Sequence, residues 1–130
     1  ELIAVAPCCQ AELAKAWSDL AASGIQGAFE PIWRAPHLRR EAAATMTDAL
    51  RTLLLRGCGY DVTPMEFVPS SHTPKNTLLR AVRRTGPRGE WFAQYLRFRD
   101  ALGGAVIKLA SLLTERYGAF VRQSDGDQLR

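Results

Sequence analysis

The sequence has few cysteines and histidines and no hydrophobic run long enough to cross a bilayer. Only three of its 130 residues are cysteine, and two of these, Cys8 and Cys9, are adjacent. A bridge between neighbouring residues is strained, so this spacing excludes a disulfide framework and favours reduced thiols. No apolar stretch approaches the roughly 20 residues of a membrane span, and no basic segment precedes an apolar one as in a secretion signal. The sequence therefore predicts a cytoplasmic protein with no membrane partner.

The residues that commonly bind metals are also sparse and poorly spaced. They lack any C-x-x-C or H-x-x-x-H arrangement, and adjacent cysteines rarely bind one tetrahedral ion together. We predict no metal site from the cysteines and histidines, which are Cys8, Cys9, Cys58, His37 and His72.

What the sequence does contain is a globular composition with a mildly basic charge. Hydrophobic residues make up 47% of the chain and the formal net charge is +4. A chain of 130 residues is long enough for one domain with a sizeable core. The charge permits a nucleic-acid partner without requiring one.

The opening residues predict a short strand. Residues 2–6 are five consecutive apolar residues rich in β-branched types, which is typical of a strand buried on both faces. Pro7 lacks a backbone donor and ends the pairing. Residues that follow such a strand lie at the carboxyl edge of a sheet, where α/β folds bind their ligands. Residues 7–10 are therefore the first candidates for a site.

Helical and extended patterns alternate after residue 10. Apolar spacing predicts a helix that ends at Ser23-Gly24, then an irregular stretch from Gly27 to His37 with large apolar residues that cover a core edge or a pocket. The longest helix is predicted from Leu38 to Arg56, and two amphipathic helices follow residue 90. We divide the chain into an α/β domain at residues 1–85, a helical extension at 86–122 and a polar tail at 123–130.

Two strands are predicted between the long helix and the last two helices. They span Tyr60–Val68 and Thr77–Val82, and Pro64 marks the first of them as an edge strand or a bulge. The loop between them is too short for a crossover helix, so they should be antiparallel neighbours. The fold class is α/β: one parallel strand, a long helix, an antiparallel strand pair with the reversed strand at the sheet edge, and two further helices.

Two motifs resemble those of one enzyme family. They are Val5–Gln10, with the letters VAPCCQ, and Phe67–Ala81, with the letters FVPSSHTPKNTLLRA. With the segment Asp48–Tyr60 between them, they resemble the PCC-H/Q branch of class I S-adenosylmethionine-dependent methyltransferases over most of residues 1–85. The resemblance implies a Rossmann-like sheet whose glycine-rich cofactor loop follows the first strand. It aligns residue 1 with the fourth strand, so it implies that S-adenosylmethionine is bound by an N-terminal half that this sequence lacks.

The resemblance also implies roles for the residues after the first strand. Ala6 and Pro7 would face the cofactor, and Pro7, Cys8, Cys9 and Gln10 would form the catalytic segment beside the target atom. Methyl transfer requires an aligned nucleophile and removal of its proton. The alternative is that both cysteines are small buried hydrophobic residues.

The loop before the last strand carries further candidates. His72 has a ring that accepts a proton near neutral pH, so it is a candidate catalytic residue. The alternative is that the polar residues of this loop only stabilise its turns. A substrate-binding set is predicted in the loop and in the basic residues beyond it, namely Lys75, Asn76, Arg80, Arg83 and Arg84.

The basic residues make RNA a candidate substrate. Arg88 extends the basic run, and Trp91 or Phe92 is available for stacking on a base. The alternative is that the charges protect a solvated edge strand. The leading hypothesis is thus a methyltransferase component that acts on RNA, with a protein substrate as the alternative, and that is inactive as this chain alone. Its rivals are a non-catalytic interaction module and a nucleic-acid-binding domain. An exposed first strand would also favour a homodimer or a strand swap.

Overall fold

The computed structural model describes residues 1–6, 11–66 and 77–128. Three strands and five helices are formed in this part of the chain. Their bounds in chain order are β1 Leu2–Val5, α1 Ala11–Ser23, α2 Glu30–Trp33, α3 Pro36–Gly57, β2 Tyr60–Glu66, β3 Thr77–Arg83, α4 Gly89–Ala101 and α5 Lys108–Gln128.

The long helix α3 is the central element, and its ends follow from its sequence. Pro36 occupies the first turn, where its missing N–H costs no intrahelical bond. Gly59, just past the C-terminus, has φ +94°, a conformation that L side chains rarely adopt. Inside the helix, Thr47 and Thr52 are buried and donate their hydroxyls to backbone carbonyls four residues earlier. The predicted helix Leu38–Arg56 is confirmed, with one or two more residues at each end.

The sheet has the order β1-β3-β2, and both outer strands are antiparallel to β3. The predicted antiparallel pair is confirmed, with Val62 opposite Ala81. The edge position indicated by Pro64 is also confirmed among the described strands. The predicted parallel strand is wrong, because β1 pairs with the reversed strand β3. The reversed strand therefore lies between the other two and not at the sheet edge.

Burial of β1 on both faces was also predicted wrongly. Leu2 is 62% exposed and Val5 is 42% exposed. The cause is position: β1 lies at one end of the described sheet, while α3 packs against β2 at the other end. An apolar run alone does not distinguish a central strand from an apolar edge strand.

The helices form one hydrophobic core. Trp17 of α1 and Trp33 of α2 are fully buried, with ring centroids 6.2 Å apart. The stretch predicted to be irregular thus contains a short helix, and Trp33 covers the core. Both α4 and α5 contribute to the same core, through Phe92 and Ala110 for example. α5 continues to Gln128, beyond the start of the predicted polar tail. No helix in the described part of the chain is long and apolar enough to cross a membrane.

Candidate functional site

The carboxyl ends of β1 and β2 lie at the same end of the sheet, which we call the common sheet edge. Both strands run antiparallel to β3, so they point in the same direction. Val5 and Pro64 lie level with each other, each opposite Leu79. Two strand spacings separate them, which is roughly 10 Å. The chain leaves this edge after Ala6 and after Glu66, and β3 begins there at Thr77.

The two motif segments that the sequence singled out both leave the sheet from this edge. One motif segment, residues 7–10, follows β1 and the other, residues 67–76, connects β2 to β3. Ala6, the predicted cofactor neighbour, is exposed at this edge. The other candidates of the two segments lie outside the described residues, and they are Pro7, Cys8, Cys9, Gln10, His72, Lys75 and Asn76.

A cleft of about 530 Å³ lies beside the same edge. In its described lining, Pro64 and Thr77 form the sheet side and residues of α3 and α4 form the helix side, where Leu53 and Phe98 give it a mainly apolar wall. The buried carboxylate of Asp48 also lines it and accepts a hydrogen bond of 3.1 Å from Arg51. A mainly apolar cleft with a few polar groups is typical of a small-molecule site.

The predicted basic residues of β3 do not form one surface. Alternate residues of a strand point to opposite faces, so Arg80 and Arg83 diverge. Arg80 is exposed opposite Ala4 and Thr63. Arg83 lies at the strand end, 3.7 Å from the carboxylate of Glu1. Of the substrate-binding arginines predicted from the sequence, Arg84 lines a second cleft.

That second cleft, which we call the arginine cleft, has a volume of about 270 Å³. Three arginines line it, namely Arg56 at the end of α3, Arg84 after β3 and Arg88 before α4. Trp91 and the carboxylate-bearing Asp61 complete its described wall, together with Gly59, Tyr60 and Thr85. Three arginines stand against Asp61 and the Glu90 carboxylate that pairs with Arg88, so the cleft keeps a net positive charge.

Arg56 is held from two sides. Its guanidinium carbon lies 5.0 Å from the centroid of the Trp91 ring, within cation–π range. One of its terminal nitrogens donates to the backbone carbonyl of Val62 at 3.2 Å. Arg88 lies 6.0 Å from the same ring and pairs with Glu90 at 2.6 Å. Arg56 and Arg84 form no ion pair with another residue in the described part of the chain.

Two aromatic residues were predicted to be available for stacking on a base, and for Phe92 this prediction is wrong. Phe92 is fully buried and its ring contacts the core. Trp91 is half-buried and faces the arginine cleft. A helical step of one residue rotates the side chain by about 100°, so the two neighbours point in different directions.

Sequence reasoning missed Arg56, although a signal for it existed. β2 begins directly after α3, and β3 returns antiparallel to it, with Tyr60 opposite Arg83. The residues after β3 must therefore come back to the C-terminal end of α3. The backbone shows this return, since the N–H of Arg84 donates to the carbonyl of Gly59 at 3.0 Å.

The cysteine in the described residues, Cys58, is poorly suited to thiol chemistry because it is buried. Cys58 is 3% exposed, and burial raises the pKa of its thiol from 9.0 to about 11, although Arg116 and Arg83 act in the opposite direction. A neutral thiol at physiological pH is a poor nucleophile and metal ligand. Among the described side chains, no three His, Cys, Asp or Glu residues come together as a metal site would require.

No protein-family model, curated protein or solved structure matches the chain. The resemblance of the two motifs to methyltransferases therefore has only the sequence itself as its basis.

Proposed function

We propose that the chain is the substrate-side part of an S-adenosylmethionine-dependent methyltransferase that acts on RNA. The observation that supports this most is the common sheet edge. The segment after β1 and the segment after β2 are the two motif segments, and both begin where co-directional strands end. Loops that a rigid scaffold positions often carry binding and catalytic residues.

The described residues do not fit the methyl donor itself. A nucleoside cradle requires a glycine-rich loop that follows a strand, whereas Gly57 and Gly59 follow a helix. A Cβ at Gly57 would lie 2.7 Å from the Phe92 ring, and one at Gly59 would lie 2.2 Å from the Thr85 carbonyl oxygen. These glycines thus allow the chain to pack on itself. We propose that residues outside the described part hold the donor, and we assign no donor contact to this chain.

The donor half of the proposal is tested by calorimetry. S-adenosylmethionine is titrated into the 130-residue chain and into the protein encoded by the whole source gene. We expect no binding heat from the chain and saturable binding by the whole protein. Tight binding to the chain, or no binding by the whole protein, contradicts the proposal.

A second candidate function is a nucleic-acid-binding module without catalysis. The electropositive arginine cleft favours this function independently of the sheet edge. The two candidates differ in one respect, because a non-catalytic module binds RNA and transfers no methyl group to it.

Self-association through β1 is proposed as well. Within the described sheet, β1 pairs with β3 on one side and with no strand on the other. An apolar strand with an open edge is a template for pairing with a second copy.

A further inference from the structure

We propose that the arginine cleft holds a backbone phosphate of single-stranded RNA, with Arg56 as the central phosphate ligand. This deepens the proposed function by naming the residues that hold the substrate. Phosphate binding requires no methyl donor. The RNA-binding test can therefore fail while methyl transfer is observed, and RNA binding can be observed while methyl transfer fails.

The first argument is the convergence of three charges. Arg56, Arg84 and Arg88 come from three separate segments and line one cleft of about 270 Å³. Arginine is suited to phosphate because its planar guanidinium donates two parallel hydrogen bonds. Asp61 in the described lining and Glu90, which pairs with Arg88, still leave a net positive charge for an anion to neutralise.

The second argument is the restraint on Arg56. The Trp91 ring and the Val62 carbonyl fix the guanidinium, while several of its N–H groups are left without a bond to another described residue. A fixed guanidinium loses less conformational entropy when it binds a ligand than a free side chain does. The cleft is therefore partly organised before the ligand arrives.

The third argument concerns the kind of anion. Trp91 is half-buried and lines the cleft, and the guanidinium carbons of Arg56 and Arg88 lie 5.0 and 6.0 Å from its ring centroid. Single-stranded nucleic acids combine phosphates with flat bases, and sites that bind them combine cations with planar groups on which bases stack. An acidic peptide offers the charge without the base, so single-stranded RNA is the better fit.

The test measures binding of a fluorescein-labelled 12-nucleotide single-stranded RNA to the chain by anisotropy. Arg56→Gln should weaken binding at least fivefold. Adding Arg84→Gln and Arg88→Gln to this variant should weaken binding further. The slope of log affinity against log salt should fall by about 0.7 for each phosphate contact removed. The matched control is Arg40→Gln, an exposed arginine of the same helix, roughly 24 Å from Arg56 along the axis. It should change affinity less than twofold.

Three results would overturn the proposal. The first is no RNA binding by the unsubstituted chain, and the second is an equal loss in Arg40→Gln and Arg56→Gln. The third is tighter binding of a 12-residue polyaspartate than of the RNA, which would identify an acidic peptide as the ligand. Circular dichroism of each variant checks that it is folded. Arg56→Lys keeps the charge but not the planar guanidinium, so its RNA affinity should lie between those of the wild type and Arg56→Gln.

Discussion

The indole Nε1–H of Trp17 donates a hydrogen bond of 2.8 Å to the backbone carbonyl of Leu102, 85 residues along the chain. Both residues are fully buried, so the bond joins α1 to the end of α4 inside the core. A buried carbonyl at a helix end needs such a partner, because an unsatisfied one costs free energy.

Removing this donor should destabilise the whole fold. Trp17→Phe keeps an aromatic ring but leaves the Leu102 carbonyl unpaired beside a cavity, so we expect the free energy of unfolding to fall by about 2–4 kcal/mol. Urea denaturation followed by circular dichroism measures the change. Ser23→Ala, which removes an exposed hydroxyl bond to Leu20, is the control and should change stability by less than about 0.5 kcal/mol. Equal effects of the two substitutions would show that the indole bond has no special role.

Gly59 should tolerate no side chain. Its φ is +94°, and an added Cβ would lie 2.2 Å from the carbonyl oxygen of Thr85. We expect Gly59→Ala to lower the free energy of unfolding by about 3 kcal/mol or more, since backbone strain and overpacking add. The control is Gly86→Ala, because Gly86 has open space around it. A Gly59→Ala variant as stable as Gly86→Ala would mean that the α3–β2 turn is built differently.

Stability should decline at alkaline pH because of Cys58. Its pKa is raised by burial from 9.0 to about 11, so the folded state holds the thiol proton more tightly than the unfolded state does. The resulting stabilisation is complete below pH 9 and is lost as the pH rises towards 11. We expect the urea concentration at the midpoint of unfolding to decrease as the pH is raised from 9 to 11. In Cys58→Ala this decrease with pH should be smaller. An unchanged slope in Cys58→Ala would assign the decline to other groups.

A second copy should pair with the open edge of β1. Light scattering of the chain should give about twice the chain mass of 14.4 kDa. Leu2→Lys places a charge on the exposed strand and should shift the protein to the monomer. Leu112→Lys, at an equally exposed leucine of α5, is the control and should remain dimeric. A monomeric unsubstituted chain would argue against this interface.

Most of the regular elements were predictable from local patterns, but the short helix α2 and the arrangement of the strands were not. Helix α3 and the pair β2 and β3 follow from apolar spacing and from glycine and proline positions near their ends. The partner of β1 lies almost 80 residues away, with Ile3 opposite Ala81, and no local pattern encodes that pairing. Its exposure was missed for the same reason.

The site was predictable only in part. Arg84 was identified because it belongs to a visible basic run, whereas Arg56 joins it only through the return of the β2–β3 hairpin to α3. The opposite faces of Arg80 and Arg83 follow from strand alternation, which a count of basic residues ignores.

The most direct test of the central claim is a methyl-transfer assay with the protein encoded by the whole source gene. It measures transfer of a tritiated methyl group from S-adenosylmethionine to RNA. The account predicts incorporation into RNA, with Arg56→Gln raising the KM for RNA and Arg40→Gln leaving it unchanged. Absence of label in RNA, from a protein that still binds RNA through the arginine cleft, would contradict the methyltransferase function and favour the non-catalytic module.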